Sequence, residues 1–240
     1  MRGRGGETPA RNWLLNEGNL PPGTQTSPTA GTPDSGLSHS TRLAPQHSVL
    51  VAGVDEVGRG ALFGPVVAAA VILPPSATPE LVASQIRDSK QLSSYRRLKL
   101  AEKICAVALD WKIGFASTAE IDRINILQAS LLAMKRAVLK LKVQPALCLV
   151  DGNQPLKNLP VPQQTLVRGD EQSLVIASAS IVAKVWRDAL IVRLASKYPA
   201  YDLIANKGYG TERHRQALQQ YGPSPLHRLS FRPCQIVVRR

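Results

Sequence analysis

Residues 49–73 read VLVAGVDEVGRGALFGPVVAAAVIL, and the architecture is worked out from this stretch. The apolar run Val49–Val54 has the composition of a buried strand. It ends in two adjacent carboxylates, Asp55 and Glu56, followed by the glycine turn Gly58-Arg59-Gly60. After a second turn at Gly64-Pro65, the run Val66–Leu73 is rich in β-branched residues and reads as the next strand. Neighbouring acids at the end of a buried strand repel each other, and desolvation makes the repulsion worse. The pair is either a solvated strand end or a site, and the rest of the chain decides between them.

Downstream, Ser93 predicts the N-cap of a helix over Tyr95–Leu109, with Leu98, Ala101, Ile104 and Ala108 on one face. Trp111–Ser117 reads as a strand. Asn125–Leu141 has helical periodicity, with Leu127, Leu131, Met134, Val138 and Leu141 inward and Lys135, Arg136 and Lys140 outward. Ala146–Val150 is a short apolar strand that runs into Asp151-Gly152-Asn153, and Thr165–Val167 is a short extended piece. Arg168-Gly169-Asp170 leads into one long helix, about Glu171–Ser196, whose small residues Ala177, Ser178, Ala179 and Ser180 suit close packing on a sheet. A last helix covers about Glu212–Tyr221, inside a C-terminal part, 206–240, with seven basic residues and one acid. A hairpin followed by alternating helices and strands predicts an α/β layer fold. Its central sheet is mixed, antiparallel in the hairpin and parallel at the crossovers.

The net charge is +13 over 240 residues. The first 47 residues hold four arginines and three acids, so nearly all of the excess belongs to the remainder. That favours a polyanionic partner, with nucleic acid ahead of an anionic membrane surface. Residues 1–47 are rich in Gly, Pro, Ser and Thr and are expected to form a disordered extension, with at most a short helix at Trp13–Glu17. A transit peptide is the minor alternative for this segment. Residues 48–240 form the expected folded domain. No apolar run approaches the ~18 residues of a membrane span, and no secretory signal is visible. Cys105, Cys148 and Cys234 have no metal-binding spacing; Cys105 and Cys148 are expected in the core, which suits a reducing cytoplasm.

Asp55 and Glu56, Asp151, and Asp170 share one property: each lies at the end of a strand or the entry to a helix. Sites in open α/β sheets gather at the carboxyl ends of strands. Convergent carboxylates in a basic protein fit a hard divalent cation, which takes oxygen ligands and keeps room for a substrate phosphate. Two such ions about 4 Å apart could clamp an in-line phosphodiester displacement.

The stretches GVDEVGRGALFGPVVAAAVIL, DSKQLS, LVDGN, VRGDEQSLVIASASIVAKVWRD, NKGYGTERH and HRLSF together resemble ribonuclease HII, of the ribonuclease H-like superfamily. They cover Val49 to about Arg232 in the family's order. The resemblance implies a three-layer ribonuclease H-like fold. It also implies an endonuclease that cuts the RNA strand of RNA–DNA hybrids and incises at single ribonucleotides in duplex DNA, leaving 3′-hydroxyl and 5′-phosphate ends. Asp55, Glu56, Asp151 and Asp170 match the metal-binding catalytic acids, with Mg²⁺ or Mn²⁺ as cofactor. Asp188 stands in reserve; its plainer reading is an i,i+4 surface pair with Lys184.

Gly58, Arg59 and Gly60 resemble the family's sensor of the ribose 2′-hydroxyl, since glycines let backbone groups approach a sugar. Tyr209 matches the tyrosine that packs on the neighbouring deoxyribose. Lys90 and Lys184 are the leading phosphate contacts. Arg59, Lys207, Arg213 and Arg228 follow, and Ser173 and Ser180 are looser candidates. His214 and His227 are expected in structural or phosphate-contacting roles. No obligate protein partner is evident, and a monomer is the default expectation. No terminal clamp-binding peptide is visible. Two other readings remain: a non-catalytic binder of hybrid or duplex, and a DNA nuclease or integrase-like transferase on the same fold.

Overall fold

The computed structural model describes residues 49–83, 86 and 93–238. The expected disordered extension 1–47, the short helix at Trp13–Glu17, and Lys90 with its DSKQLS stretch up to Leu92 lie outside the described residues.

Strand β1 (Val51–Val57) pairs antiparallel with β2 (Val66–Ile72), and β2 antiparallel with β3 (Asp110–Ala116). On its other side β1 pairs parallel with β4 (Leu147–Asp151), and β4 parallel with β5 (Gln163–Leu166). The five-stranded order β3-β2-β1-β4-β5 is the expected mixed sheet. One boundary differs. The sequence places the acids after the first strand, whereas Asp55 and Glu56 lie inside β1, opposite Ala69 and Ala68. Alanines on the partner strand leave room for both carboxylates, so the ladder continues to Val57.

Strand alternation assigns the two faces. Ala52 and Val54 pack with Val66, Ala68, Ala70 and Ile72 beneath α3 (Thr118–Leu139), against Ala129, Ala133, Met134 and Ala137. Gly53 and Asp55 face α5 (Leu174–Ala195) on the other side. A Cβ on Gly53 would lie 2.1 Å from the Val175 carbonyl carbon, so strand and helix meet backbone to backbone. Ala177, Ser178 and Ala179 of α5 are buried as expected. Two further helices, α1 (Thr78–Ala83) and α2 (Ser94–Val107), precede β3. Ser93 caps α2, its Oγ accepting from the Arg96 amide at 3.3 Å. Cys148 is in the core, but Cys105 on α2 is only partly covered.

Two helices depart from expectation. α3 starts at Thr118, seven residues before the predicted Asn125, because Ser117-Thr118-Ala119-Glu120 is a capping box. The Ser117 Oγ accepts from the Glu120 amide at 3.2 Å, and Glu120 Oε2 accepts from the Ser117 amide at 2.9 Å. Asn125 sits at a kink with φ 66°, and its Oδ1 accepts from the Gln128 amide. It therefore resembles a helix start within the helix. The kink turns Leu127 outward, against the inward face expected for it. The expected single helix from Glu171 is two: α4 (Gly169–Gln172) and α5, separated by Ser173 in extended conformation.

Glu120 ties α3 to β3. Arg136 donates to Glu120 Oε1 at 2.7 Å and to the Phe115 carbonyl at 2.9 Å. The Arg136 contact holds the Glu120 carboxyl down to about 2. Its stabilisation is therefore complete above the unfolded value near 4.5 and is lost as pH falls toward 2. Solvent screening of the half-exposed arginine limits the ion pair, but the cap is lost as well, so Glu120→Ala should cost about 1–2 kcal/mol at pH 7. Urea unfolding at pH 7 and pH 3 should show the difference from wild type shrinking at the lower pH.

The C-terminal part is more helical than the single expected helix at Glu212–Tyr221. Helices α6 (Leu203–Asn206), α7 (Glu212–Tyr221) and α8 (Arg232–Val238) follow α5. Leu203, Leu218 and Cys234 from them pack with Leu62, Phe63, Ile191 and Tyr201 into a second core. This core holds the glycine turn against the end of the chain. Among the described residues, no helix is long and apolar enough to cross a membrane.

Candidate active site

The parallel register of β1 and β4 pairs Val54 with Val150, so the next residues, Asp55 and Asp151, are neighbours. Glu56 completes the group: one oxygen from each of the three acids lies within 4.8 Å of the others. Asp170 lies outside that group but lines the same cleft, of about 540 Å³, from the first turn of α4. The Gly169 amide beside it donates to Asp151 Oδ1 at 2.6 Å, tying the start of α4 to the end of β4.

Asp55 is 5% exposed. Burial, followed by the charges of Glu56 and Asp151, pushes its carboxyl well above the usual range. The Ser180 hydroxyl and the Glu56 amide, the latter 2.7 Å from Asp55 Oδ1, pull it partway back. Burial also raises Glu56, against the opposing pull of Arg59, whose Nη1 donates to Glu56 Oε1 at 3.1 Å. Arg59 is half-exposed, so the acids keep a strong mutual repulsion in their buried setting. Their donor set is all carboxylate oxygen, with neither imidazole nor thiolate. That set and its unbalanced charge fit a hard divalent cation such as Mg²⁺ or Mn²⁺. Asp188 is elsewhere: it accepts from Lys184 Nζ at 2.9 Å as the plainer i,i+4 reading expects.

The glycine turn is fixed from below by buried guanidinium groups. Gly58 has φ 87°, and a Cβ on it would meet Arg187 Nε at 2.1 Å. Arg187 is fully buried and donates to the carbonyls of Phe63, Pro65 and Lys207 at 2.9, 3.1 and 2.9 Å. Arg228, expected as a phosphate contact, is instead fully buried and donates to the Arg59 and Gly64 carbonyls at 2.8 and 3.0 Å. A sequence reading treats arginine as a surface charge; here the turn's inward carbonyls need donors, and arginine supplies several at once.

Tyr209 lines the cleft and forms an antiparallel bridge with Ala61. Lys184 Nζ lies 5.3 Å and the Arg187 guanidinium 5.5 Å from its ring centre. Ser180 lines the cleft at Asp55, whereas Ser173 forms the break between α4 and α5. Lys207 donates to the Ile204 carbonyl, and Arg213 stands 3.8 Å from Asp202, outside the cleft lining. His214 and His227 are buried, which rules out phosphate contact and leaves the structural role.

Sequence reasoning missed Arg97 and Arg168, which line the cleft. Arg97 is half-buried on the face of α2 that also carries Ala101 and Ile104, and nothing in its sequence neighbours gives it an address. Arg168 carried a readable signal in immediately preceding Gly169-Asp170; in the structure it adopts a left-handed φ of 56°, a strained conformation of the kind found at functional positions.

The family model described as Ribonuclease HII matches residues 52–234. A ribonuclease HII of Trichormus variabilis is 69% identical over 189 residues, spanning 79% of this chain and 84% of the relative. The solved ribonuclease H2 of Pyrococcus horikoshii OT3 is 26% identical with a TM-score of 0.69, covering 80% of this chain and 98% of that one. The ribonuclease HII solved in complex with PCNA from Archaeoglobus fulgidus is 26% identical with a TM-score of 0.65, covering 75% of this chain and 92% of that one.

Proposed function

The chain belongs to the ribonuclease HII family, whose members are ribonuclease H enzymes, and on that premise we propose the details of its reaction. It hydrolyses the RNA strand of RNA–DNA hybrids and incises 5′ of single ribonucleotides embedded in duplex DNA, leaving 3′-hydroxyl and 5′-phosphate ends. One observation carries this reading: the three acids within 4.8 Å share one cleft with the glycine turn and Tyr209.

Asp55, Glu56 and Asp151 would hold the divalent ion, Mg²⁺ or Mn²⁺, with Asp170 completing the acidic wall. Held by these acids, such ions would supply the Lewis acidity that lowers the pKa of a bound water and offsets charge on the leaving oxygen. The protein's own groups orient the substrate. Lys184 beside Tyr209, together with Arg97 and Arg168 in the same cleft, attracts the phosphate backbone. Lys90 is assigned the same role by its motif. Nothing lies within 4 Å of where a Gly60 Cβ would be, so a sugar can approach the Gly58–Gly60 backbone closely. Arg59 braces Glu56 from this turn. The Tyr209 ring packs on the deoxyribose next to the ribonucleotide and disfavours a second 2′-hydroxyl there. Residues 48–240 form the catalytic domain of a cytoplasmic monomer that serves ribonucleotide and RNA-primer removal.

Labelled duplex DNA with one ribonucleotide, a continuous hybrid and an all-DNA duplex, each with Mg²⁺ or Mn²⁺, test the reading. The expected result is incision 5′ of the ribonucleotide, cleavage of the hybrid, and an intact all-DNA duplex. Binding without cutting under both metals would replace the enzyme with a binding module. Equal cutting of the all-DNA duplex would replace it with a DNA nuclease.

A further inference from the structure

Two histidines lie beneath Tyr209, in contact with each other. His214, in the first turn of α7, is fully buried, and His227 is 1% exposed. Their Nε2 atoms are 3.0 Å apart. His214 Nδ1 is 2.9 Å from the Tyr209 carbonyl oxygen, and His227 Nδ1 is 2.9 Å from the Ser224 amide nitrogen. Tyr201 packs against both rings and Phe63 against the edge of His227.

The two ends of this chain fix every proton in it. The Ser224 hydroxyl also lies 2.9 Å from His227 Nδ1, but the amide N–H there can only donate, so Nδ1 is bare and accepts from both, and the ring proton sits on Nε2. A carbonyl only accepts, so the His214 proton sits on Nδ1 and its Nε2 is bare. Each end independently demands the same central bond, from His227 Nε2–H to His214 Nε2. The result is two neutral imidazoles, one in each tautomer, joined into one directional chain. It runs from the Ser224 amide through His227 and His214 to the Tyr209 carbonyl. His227 also bridges Phe63, and the Gly208 carbonyl beside Tyr209 accepts from the Leu62 amide at 2.8 Å. The chain thus locks Tyr209 to the same turn that carries Gly58 and Gly60. Burial holds both imidazoles below their usual pKa, which keeps them neutral at physiological pH.

We propose that His214 and His227 are positioning residues for Tyr209, fixing its ring against the sugar beside the ribonucleotide and so setting the enzyme's preference for a ribonucleotide followed by DNA. This rests on the reading of Tyr209 given above and goes beyond it. Neither histidine touches substrate; both act through the Tyr209 backbone.

The readout is the ratio of kcat/KM on a single-ribonucleotide duplex to kcat/KM on a continuous RNA–DNA hybrid. Both are measured on one preparation, so the folded fraction cancels. Asparagine offers an amide near the place of Nδ1, and glutamine near the place of Nε2. His214→Asn keeps a donor for Tyr209, while His214→Gln reaches only toward His227. At the other position, His227→Gln keeps the donor to His214, while His227→Asn keeps only the Ser224 end. The expected ratio stays near wild type in His214→Asn and His227→Gln and falls about tenfold in the other two, as loss of one ordering hydrogen bond allows.

The better substitute thus inverts between the two positions. A packing role alone would favour the larger glutamine at both. Glutamine retaining the ratio better at both positions, or an unchanged ratio in all four variants, would overturn the proposal. Tyr209→Ala separates the two levels. If it lowers the ratio and the histidine variants do not, only the positioning role fails; if it leaves the ratio unchanged, the reading of Tyr209 fails with it.

Discussion

Asp151→Asn yields a folded protein that binds hybrid and cuts it at least about a thousandfold more slowly, a loss on the order of 4 kcal/mol in the transition state. The substitution keeps an oxygen in place. Asp151 Oδ1 accepts from the Gly169 amide, and the asparagine carbonyl can do the same, so α4 and Asp170 stay where they are. What disappears is one of three clustered charges. Removing it relieves the repulsion on Asp55 and Glu56. The metal-free variant should therefore melt at or above the wild-type temperature while its catalysis is gone. Activity lost with stability retained is the signature of a site group. Asp188→Asn is the internal control: it breaks only the pair with Lys184 and should keep cleavage within about threefold, since such surface pairs are weak. A hydrogen-bonding role alone for Asp151 would leave its asparagine variant active.

The largest effect on the fold comes from a single methyl group at Gly53. A Cβ there would stand 2.1 Å from the Val175 carbonyl carbon, 2.2 Å from its oxygen and 2.4 Å from the Ile176 nitrogen. No rotamer can yield, because all three obstacles are backbone. Gly53→Ala must push α5 away from β1 where strand and helix meet backbone to backbone, and should cost about 3 kcal/mol or more. Because α5 carries Ser180 and Lys184, the surviving folded protein should also lose activity. Gly60→Ala makes the opposite pattern: it meets nothing within 4 Å, so its melting temperature should match wild type. A fall in cleavage there would come from the added methyl meeting the sugar. Thermal melts and cleavage rates on the two variants distinguish a glycine needed by the fold from one needed by the substrate. A stable, active Gly53→Ala would contradict the backbone contact.

What the sequence revealed and what it hid follow from the range of the forces involved. The hairpin and the cap at Ser93 were legible because each depends on residues near one another in the chain, and the parallel β4 because a helix before it supplies the crossover that a parallel pairing needs. Asp55, Glu56 and Asp151 were legible because strand ends are where an α/β sheet gathers its polar groups. The continuation of β1 through its acids was not, since it depends on alanines of the partner strand. The true start of α3 was written in Ser117-Thr118-Ala119-Glu120, but Asn125 offers a second start that competes with it. The break at Ser173 has no strong local marker, and a run of good helix formers conceals it. The burial of Arg187, Arg228, His214 and His227 was least accessible of all. Arg187 and Arg228 donate to carbonyls of a turn more than a hundred residues earlier in the chain, and His214 and His227 bond each other across a loop; no periodicity records either arrangement.

The bridges from Ala61 to Tyr209 and from Phe63 to His227 also bear on the order in which the molecule is made. Synthesis runs from the N-terminus, and a growing polypeptide folds with whatever has already emerged. By the end of α5 the ribosome has delivered Asp55, Glu56, Asp151 and Asp170, together with every strand of the sheet. The glycine turn has been out for more than a hundred residues by then, yet Gly208, Tyr209, Leu226 and Arg228, which hold its backbone, are still to be translated. The acids are thus in hand before most of the turn's braces. A nascent chain that stalls after α5 would display the acidic cluster with its glycine turn held by Arg187 but not yet by these later partners.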